Sequence, residues 1–165
     1  MKTHKYQKRF YRDWVKAKDL HKTHIVVKET DLQILTDRCV DEGFVRSRVE
    51  KYRLDIENYI TKDRRFLTSL KPIPVELNAK PIVKEMARAA EKADVGPMAA
   101  VAGAVAQFVG KDLLKKGYNE VIIENGGDIF LKMRKARTIG IYCGKDKPWN
   151  NLRLRIKPKE TPLGI

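Results

Sequence analysis

Two short runs in this chain have the residue types and spacing to bring backbone amides against an anion. Gly96, Pro97, Met98 and Ala99 lead into an apolar stretch, and Asn125, Gly126, Gly127 and Asp128 make a compact turn. The start of a helix leaves N–H groups unpaired and carries a partial positive charge, which suits phosphate. Glycine accepts φ > 0 and has no Cβ to hold a ligand off the main chain. Two small-residue turns and one helix start therefore read as a nucleotide-binding arrangement, with these eight residues as its contacts. Asp128, with Glu124 just before the turn, adds carboxylates too few to hold magnesium well. No residue is assigned a catalytic role, and no metal-ligating set is assigned. Cys39 and Cys143 lack zinc-site spacing, and His4, His21 and His24 are isolated.

The elements that would position these runs follow from periodicity. His24–Lys28 and Leu32–Leu35 read as strands, with Glu29, Thr30 and Asp31 between them. From Asp37, a plausible N-cap, the period becomes helical. Val40, Phe44, Tyr52, Ile56 and Ile60, flanked by Val45, Val49 and Tyr59, predict an amphipathic helix to about Lys62. Residues 65–81 carry three prolines and read as an extended connector whose apolar residues should be buried. Pro81 can open a short helix. A further helix runs from Pro97 to about Lys116 and is ended by Gly117. Gly96, Gly103 and Gly110 recur along it every seven residues, with Ala99 and Ala106 between them. A helix-interior glycine costs about 0.8–1.0 kcal/mol relative to alanine, so Gly103 and Gly110 imply close approach to a neighbour. Tyr118–Glu124, Asp128–Arg134, Arg137–Cys143 and Leu152–Ile156 read as strands, with a loop over residues 144–151. The fold class is α+β: a mixed, largely antiparallel sheet with a long amphipathic helix and a buried Gly/Ala-rich helix.

The chain has 165 residues, 42% hydrophobic and 34% charged, the composition of a globular domain. Residues 1–20 read as a basic extension and 21–165 as one domain. No apolar run is long enough for a membrane helix, and no signal peptide is evident. With two cysteines and no disulfide framework, the expected setting is the cytoplasm. Charge is uneven. Residues 1–28 hold nine Lys/Arg against two acids, and 129–165 hold ten against two, while the middle holds 16 against 17. Basic ends attract phosphates, or are simply solvated strand faces.

VGPMAAVAGAVAQFVG, followed by VIIENGGDIFL, resembles the ApbE-like family, as do VKETDLQIL and FLTSLKPIPV. That family is a branch of the superfamily whose enzymes move FMN from FAD onto a protein threonine with magnesium. The resemblance covers about residues 20–165. It implies that Gly96–Ala99 and Asn125–Asp128 lie beside a flavin nucleotide, FAD or FMN. It also implies a missing C-terminal part, because the family continues past Ile165 into a Cys-Thr-Ser-Ser-Gly stretch and an acidic helix. Magnesium would bind only with that part present. Leu163 and Ile165 would then lack packing partners, and the chain would self-associate into a homo-oligomer. Three readings stay open: a flavin- or nucleotide-binding protein serving redox metabolism, a non-enzymatic RNA-binding module, and an inactive fragment.

Overall fold

The computed structural model describes residues 12, 17–141 and 152–165. Cys143, the proposed loop 144–151 and most of the basic extension lie outside them. The chain opens with a hairpin, β1 (His21–Val27) and β2 (Thr30–Thr36). Its register pairs Val27 with Thr30, so the turn is Lys28–Glu29 and not the expected Glu29–Asp31. Lys28 takes φ +52°, a conformation that a two-residue hairpin needs.

Helix α1 spans Glu42–Lys62. Its N-cap is Asp41, whose carboxylate accepts from the Phe44 N–H at 3.0 Å. Asp37, the expected cap, instead accepts from the main-chain and side-chain N–H groups of Asn119, tying the end of β2 to the approach of a later strand. The buried line along α1 is Val45, Val49, Tyr52, Ile56 and Tyr59. Of the expected stripe, Tyr52 and Ile56 are buried, as are the flanking Val45, Val49 and Tyr59, whereas Val40, Phe44 and Ile60 pack only in part.

The connector is not wholly extended: α2 (Arg65–Thr68) buries Phe66 against Tyr59, edge to face with ring centroids 5.0 Å apart. Leu70 and Leu77 are 86% and 95% exposed, contrary to the expectation that the apolar residues here are covered. Helix α3 (Pro81–Ala93) begins with proline at its first position and ends on Asp94 at φ +53°. Gly96 then precedes a 3₁₀ turn, Pro97–Ala100, which runs into α4 (Val101–Lys115).

After Gly117 come β3 (Val121–Asn125) and β4 (Asp128–Lys132), then a two-stranded ribbon of β5 (Arg137–Gly140) and β6 (Arg153–Ile156), and a short β7 (Leu163–Gly164). The main sheet has the order β1-β2-β3-β4-β7, and each neighbouring pair is antiparallel. Leu163 and Ile165 therefore do find partners. Gly164 pairs with Phe130, and the main chain of Ile165 exchanges two hydrogen bonds with Ile129 at 2.7 and 2.8 Å.

One sheet face, bearing Leu32, Ile34, Ile123 and Phe130, packs beneath the helices. On the other, Leu35, Ile122, Leu131 and Met133 meet Leu20 and Ile156. The glycine repeat has two kinds of neighbour inside the molecule. A Cβ at Gly110 would lie 2.2 Å from the Phe130 ring, whereas one at Gly103 would lie 3.3 Å from the Asp128 carboxylate.

Helices α1 and α4 are joined by a polar contact as well. The Tyr52 hydroxyl donates to Asp112, whose carboxylate also accepts from Arg48 Nε at 2.6 Å. Burial, reinforced by the bond to Asp112, pushes the Tyr52 phenol up to about 12. A folded value raised above the usual value near 10 adds stability that is whole below about pH 10. That stability is lost as the pH rises through about 12. Alkaline spectrophotometric titration should show one late-ionising tyrosine whose step vanishes in Tyr52→Phe. An unchanged curve in the variant would refute the contact.

Candidate functional site

A cleft of about 410 Å³ opens between α1, the β1–β2 turn, the 3₁₀ turn leading into α4, and the β3–β4 turn. Its floor is apolar, formed by Ile56, Ile60, Met98, Val101 and Val105, and its rim carries Glu29, Thr30, Arg53, Glu57, Asn125 and Gly126. An apolar floor with a few convergent polar groups is the usual make-up of a small-molecule site, and the volume falls in the usual range.

Arg53 projects from the middle of α1 across this rim. One Nη donates to the Thr30 hydroxyl at 2.9 Å, and the other reaches Glu29 at 2.6 Å and Glu57 at 3.1 Å. Its Nε is buried and, among the described residues, has no hydrogen-bond partner. Lys28 also approaches Glu57 at 3.6 Å. The rim therefore balances two cations with two carboxylates and has no surplus of positive charge for phosphate. Asn125, at the end of β3, donates from Nδ2 to the Ala102 carbonyl at 3.0 Å, fixing the strand end to the first turn of α4.

The eight residues read from the sequence do not converge on one site. Met98, Asn125 and Gly126 line the cleft. Asp128 points the other way, into a smaller cleft of about 230 Å³ with Gly103 and Glu85. Gly96 and Pro97 are buried and Ala99 is exposed outside both clefts. A Cβ on Gly96 would lie 1.8 Å from the Ser69 carbonyl oxygen, so neighbouring backbone already fills the space that the sequence reading reserved for a ligand. Gly127 has φ +108° and nothing within 4 Å of a Cβ, so conformation alone accounts for glycine there. Its N–H is taken, donating to Glu124 Oε1 at 2.8 Å.

Behind the cleft, on the opposite sheet face, lies a buried charge cluster. Arg12 donates from Nη1 to Asp31 Oδ1 at 2.6 Å, from Nη2 to the Asp31 carbonyl at 2.8 Å, and from Nε to Glu124. His24 Nε2 lies 2.7 Å from the same Asp31 oxygen. Asp31 and Glu124 directly follow or precede the rim residues Thr30 and Asn125, so the cluster holds both turns in place. Neither Arg53 nor Arg12 was singled out from sequence. The i,i+4 pairing of Arg53 with Glu57 was a local signal. Arg12 and Glu124 stand 112 positions apart, and no local pattern links them. Among the described residues, no three His, Cys, Asp or Glu side chains cluster to hold a metal ion. No single helix among them is long and apolar enough to cross a membrane.

A family model described as "AbpE bacteria" matches residues 12–165. The chain belongs to that family. Among its relatives are UPF0280 proteins of Methanococcus maripaludis, 40% identical over 140 residues (85% of this chain, 57% of the relative), and of Methanocaldococcus jannaschii, 42% identical over 142 residues (84% and 56%). A third, from Methanosphaera stadtmanae, is 39% identical over 147 residues (88% and 58%). The chain thus spans somewhat more than half the length of the curated relatives it matches. These matches correct the likeness to the FMN transferases. They point to UPF0280 as a distinct family, and none of them ties the chain to flavin transfer. The motifs that suggested the likeness have structural causes: Gly96 faces Ser69, Gly110 faces Phe130, and the Gly127 amide is already bonded.

Proposed function

We propose that this chain binds a small organic ligand in the cleft below Arg53. The ligand class is a flat heteroaromatic ring with a hydrogen-bonding edge, as in a nucleotide base or a flavin ring. The observation that carries the reading is the buried Nε of Arg53, without a partner among the described residues, on a residue that lines an apolar cleft. A buried donor without a partner costs about 1–3 kcal/mol, and an acceptor on a ligand edge would relieve it. Ile56, Met98 and Val105 offer the ring its apolar contact. The cleft has room for one ring-bearing unit, so a dinucleotide would leave half of itself outside. The balanced charge of the rim favours recognition of the ring over recognition of phosphate.

Riboflavin, FMN and AMP are suitable probes, read by flavin fluorescence or calorimetry. Gly126 sits on the rim at φ +66°, where a β-branched residue would be strained and would crowd the opening. Gly126→Val should weaken binding at least about tenfold, a change of ~1.4 kcal/mol, with a smaller loss in unfolding free energy. Arg53→Met should weaken binding while leaving Gly126 untouched. A lowered melting temperature with unchanged affinity would make the turn structural only. Failure of the unmodified chain to bind any of the probes would overturn the reading.

A further inference from the structure

The β5–β6 ribbon has two unlike faces. Its register sets Arg137 opposite Ile156 and Ile139 opposite Leu154 on one face, and Thr138 opposite Arg155 and Gly140 opposite Arg153 on the other. The first face turns to the second apolar cluster, where Ile156 is buried and Ile139 packs in part. The second face, Thr138, Gly140, Arg153 and Arg155, is exposed throughout. Arg134, Lys157 and Lys159, also exposed, extend the basic surface from the end of the ribbon. Nearby acids are occupied: Asp19 pairs with Lys135 and Arg137, and Glu160 accepts the Lys157 N–H. Among the described residues, no carboxylate pairs with Arg134, Arg153, Arg155, Lys157 or Lys159.

We infer that the outer face of this ribbon binds the phosphate backbone of single-stranded nucleic acid. Arg153 and Arg155 project from the same side of one strand, a two-residue step of about 6.6–6.8 Å, comparable to the step between successive phosphates of an extended strand. Arginine presents a planar fork of donors suited to phosphate oxygens. The Thr138 hydroxyl lies beside Arg155 as a further donor. Among the described residues, Gly140 opposite Arg153 has nothing within 4 Å of a Cβ. Among the described residues no aromatic side chain stands on the face, and the inferred contact is with the phosphate backbone. A membrane surface fits less well, because interfacial binding sets apolar side chains beside the basic ones. Here the apolar residues of the ribbon, Leu154 and Ile139, alternate to the opposite face.

The test is fluorescence anisotropy of a labelled oligouridylate titrated with the whole chain across a salt series. The unmodified chain should bind with an affinity that falls linearly in a log–log plot against salt. The double variant Arg153→Gln, Arg155→Gln removes two phosphate contacts and should lower the slope by about 1.4. Both side chains are exposed, so the melting temperature should not change. The control Lys84→Gln, Lys92→Gln removes equal charge from exposed positions of α3 and should leave the slope unchanged. Equal loss in both variants, an unchanged slope in the ribbon variant, or no binding would each overturn the inference. So would equal binding to phosphatidylserine vesicles or to polyglutamate.

Discussion

Gly96→Ala will destabilise the fold by about 3 kcal/mol or more, at or above the upper end for overpacking. The single added carbon would sit 1.8 Å from the Ser69 carbonyl oxygen and 2.7 Å from its carbon, and both are main-chain atoms. That backbone is not free to step aside. The Ser69 N–H donates to the Arg65 carbonyl at 2.9 Å, and its hydroxyl bridges both main-chain groups of Lys71. Lys71 in turn pairs with Asp94, just before Gly96. For a domain of this size the loss corresponds to roughly 6–12 °C in melting temperature. Gly103→Ala is the contrast. There the new carbon meets the end of the Asp128 side chain at 3.3 Å, which can rotate, and the helix gains up to about 1 kcal/mol of propensity. Urea unfolding of both variants decides the matter. Equal midpoints would show that the Ser69–Leu70 segment yields without cost.

The second large effect is expected at Arg12. This guanidinium is 7% exposed and serves Asp31 and Glu124 together. Burial lowers its affinity for a proton, but the hydrogen bonds and charges of the two carboxylates outweigh this and raise it. Arg12→Met removes a buried cation that pairs with both carboxylates and should cost about 3–5 kcal/mol. The deficit should shrink as the pH falls, since protonating the carboxylates removes the charge that Arg12 offsets. Adding Asp31→Asn and Glu124→Gln to Arg12→Met should recover much of the loss. A pH-independent deficit, or no recovery in the triple variant, would show that Arg12 acts by filling space and not by charge.

The elements were legible where a period was strong and local. The alternation in β1, β2, β3 and β4 placed each strand within a few residues, and proline and glycine marked the ends of α3 and α4. The N-cap of α1 was misplaced because Asp37 and Asp41 are both good caps in isolation. Only the tertiary partner Asn119 distinguishes them. Exposed Leu70 and Leu77 were misread because hydropathy alone says nothing of whether a partner surface exists. The lining of the candidate cleft was legible in part. Of the eight residues read from the small-residue turns, Met98, Asn125 and Gly126 line the cleft. Gly96 obeyed the same composition rule for a different reason, a backbone crossing that no local pattern announces. Arg12 was missed because its partners Asp31 and Glu124 lie on β2 and β3, and the local Arg53–Glu57 pair gives no sign of the contacts Arg53 makes with Glu29 and Thr30.

The order of the main sheet bears on how quickly the molecule assembles. β1–β2 and β3–β4 are hairpins whose partners are neighbours in the chain. The seam that joins them, β2 to β3, pairs Thr36 with Val121 across every α-helix of the domain. Closing so long an intervening segment has an entropic cost that grows only slowly with length, but it must be met before the seam's contacts form. Each hairpin can therefore form rapidly, while their union sets the folding rate. Arg12 bridges Asp31 on one side of that seam and Glu124 on the other, so its contribution comes after the union and slows unfolding more than it speeds folding.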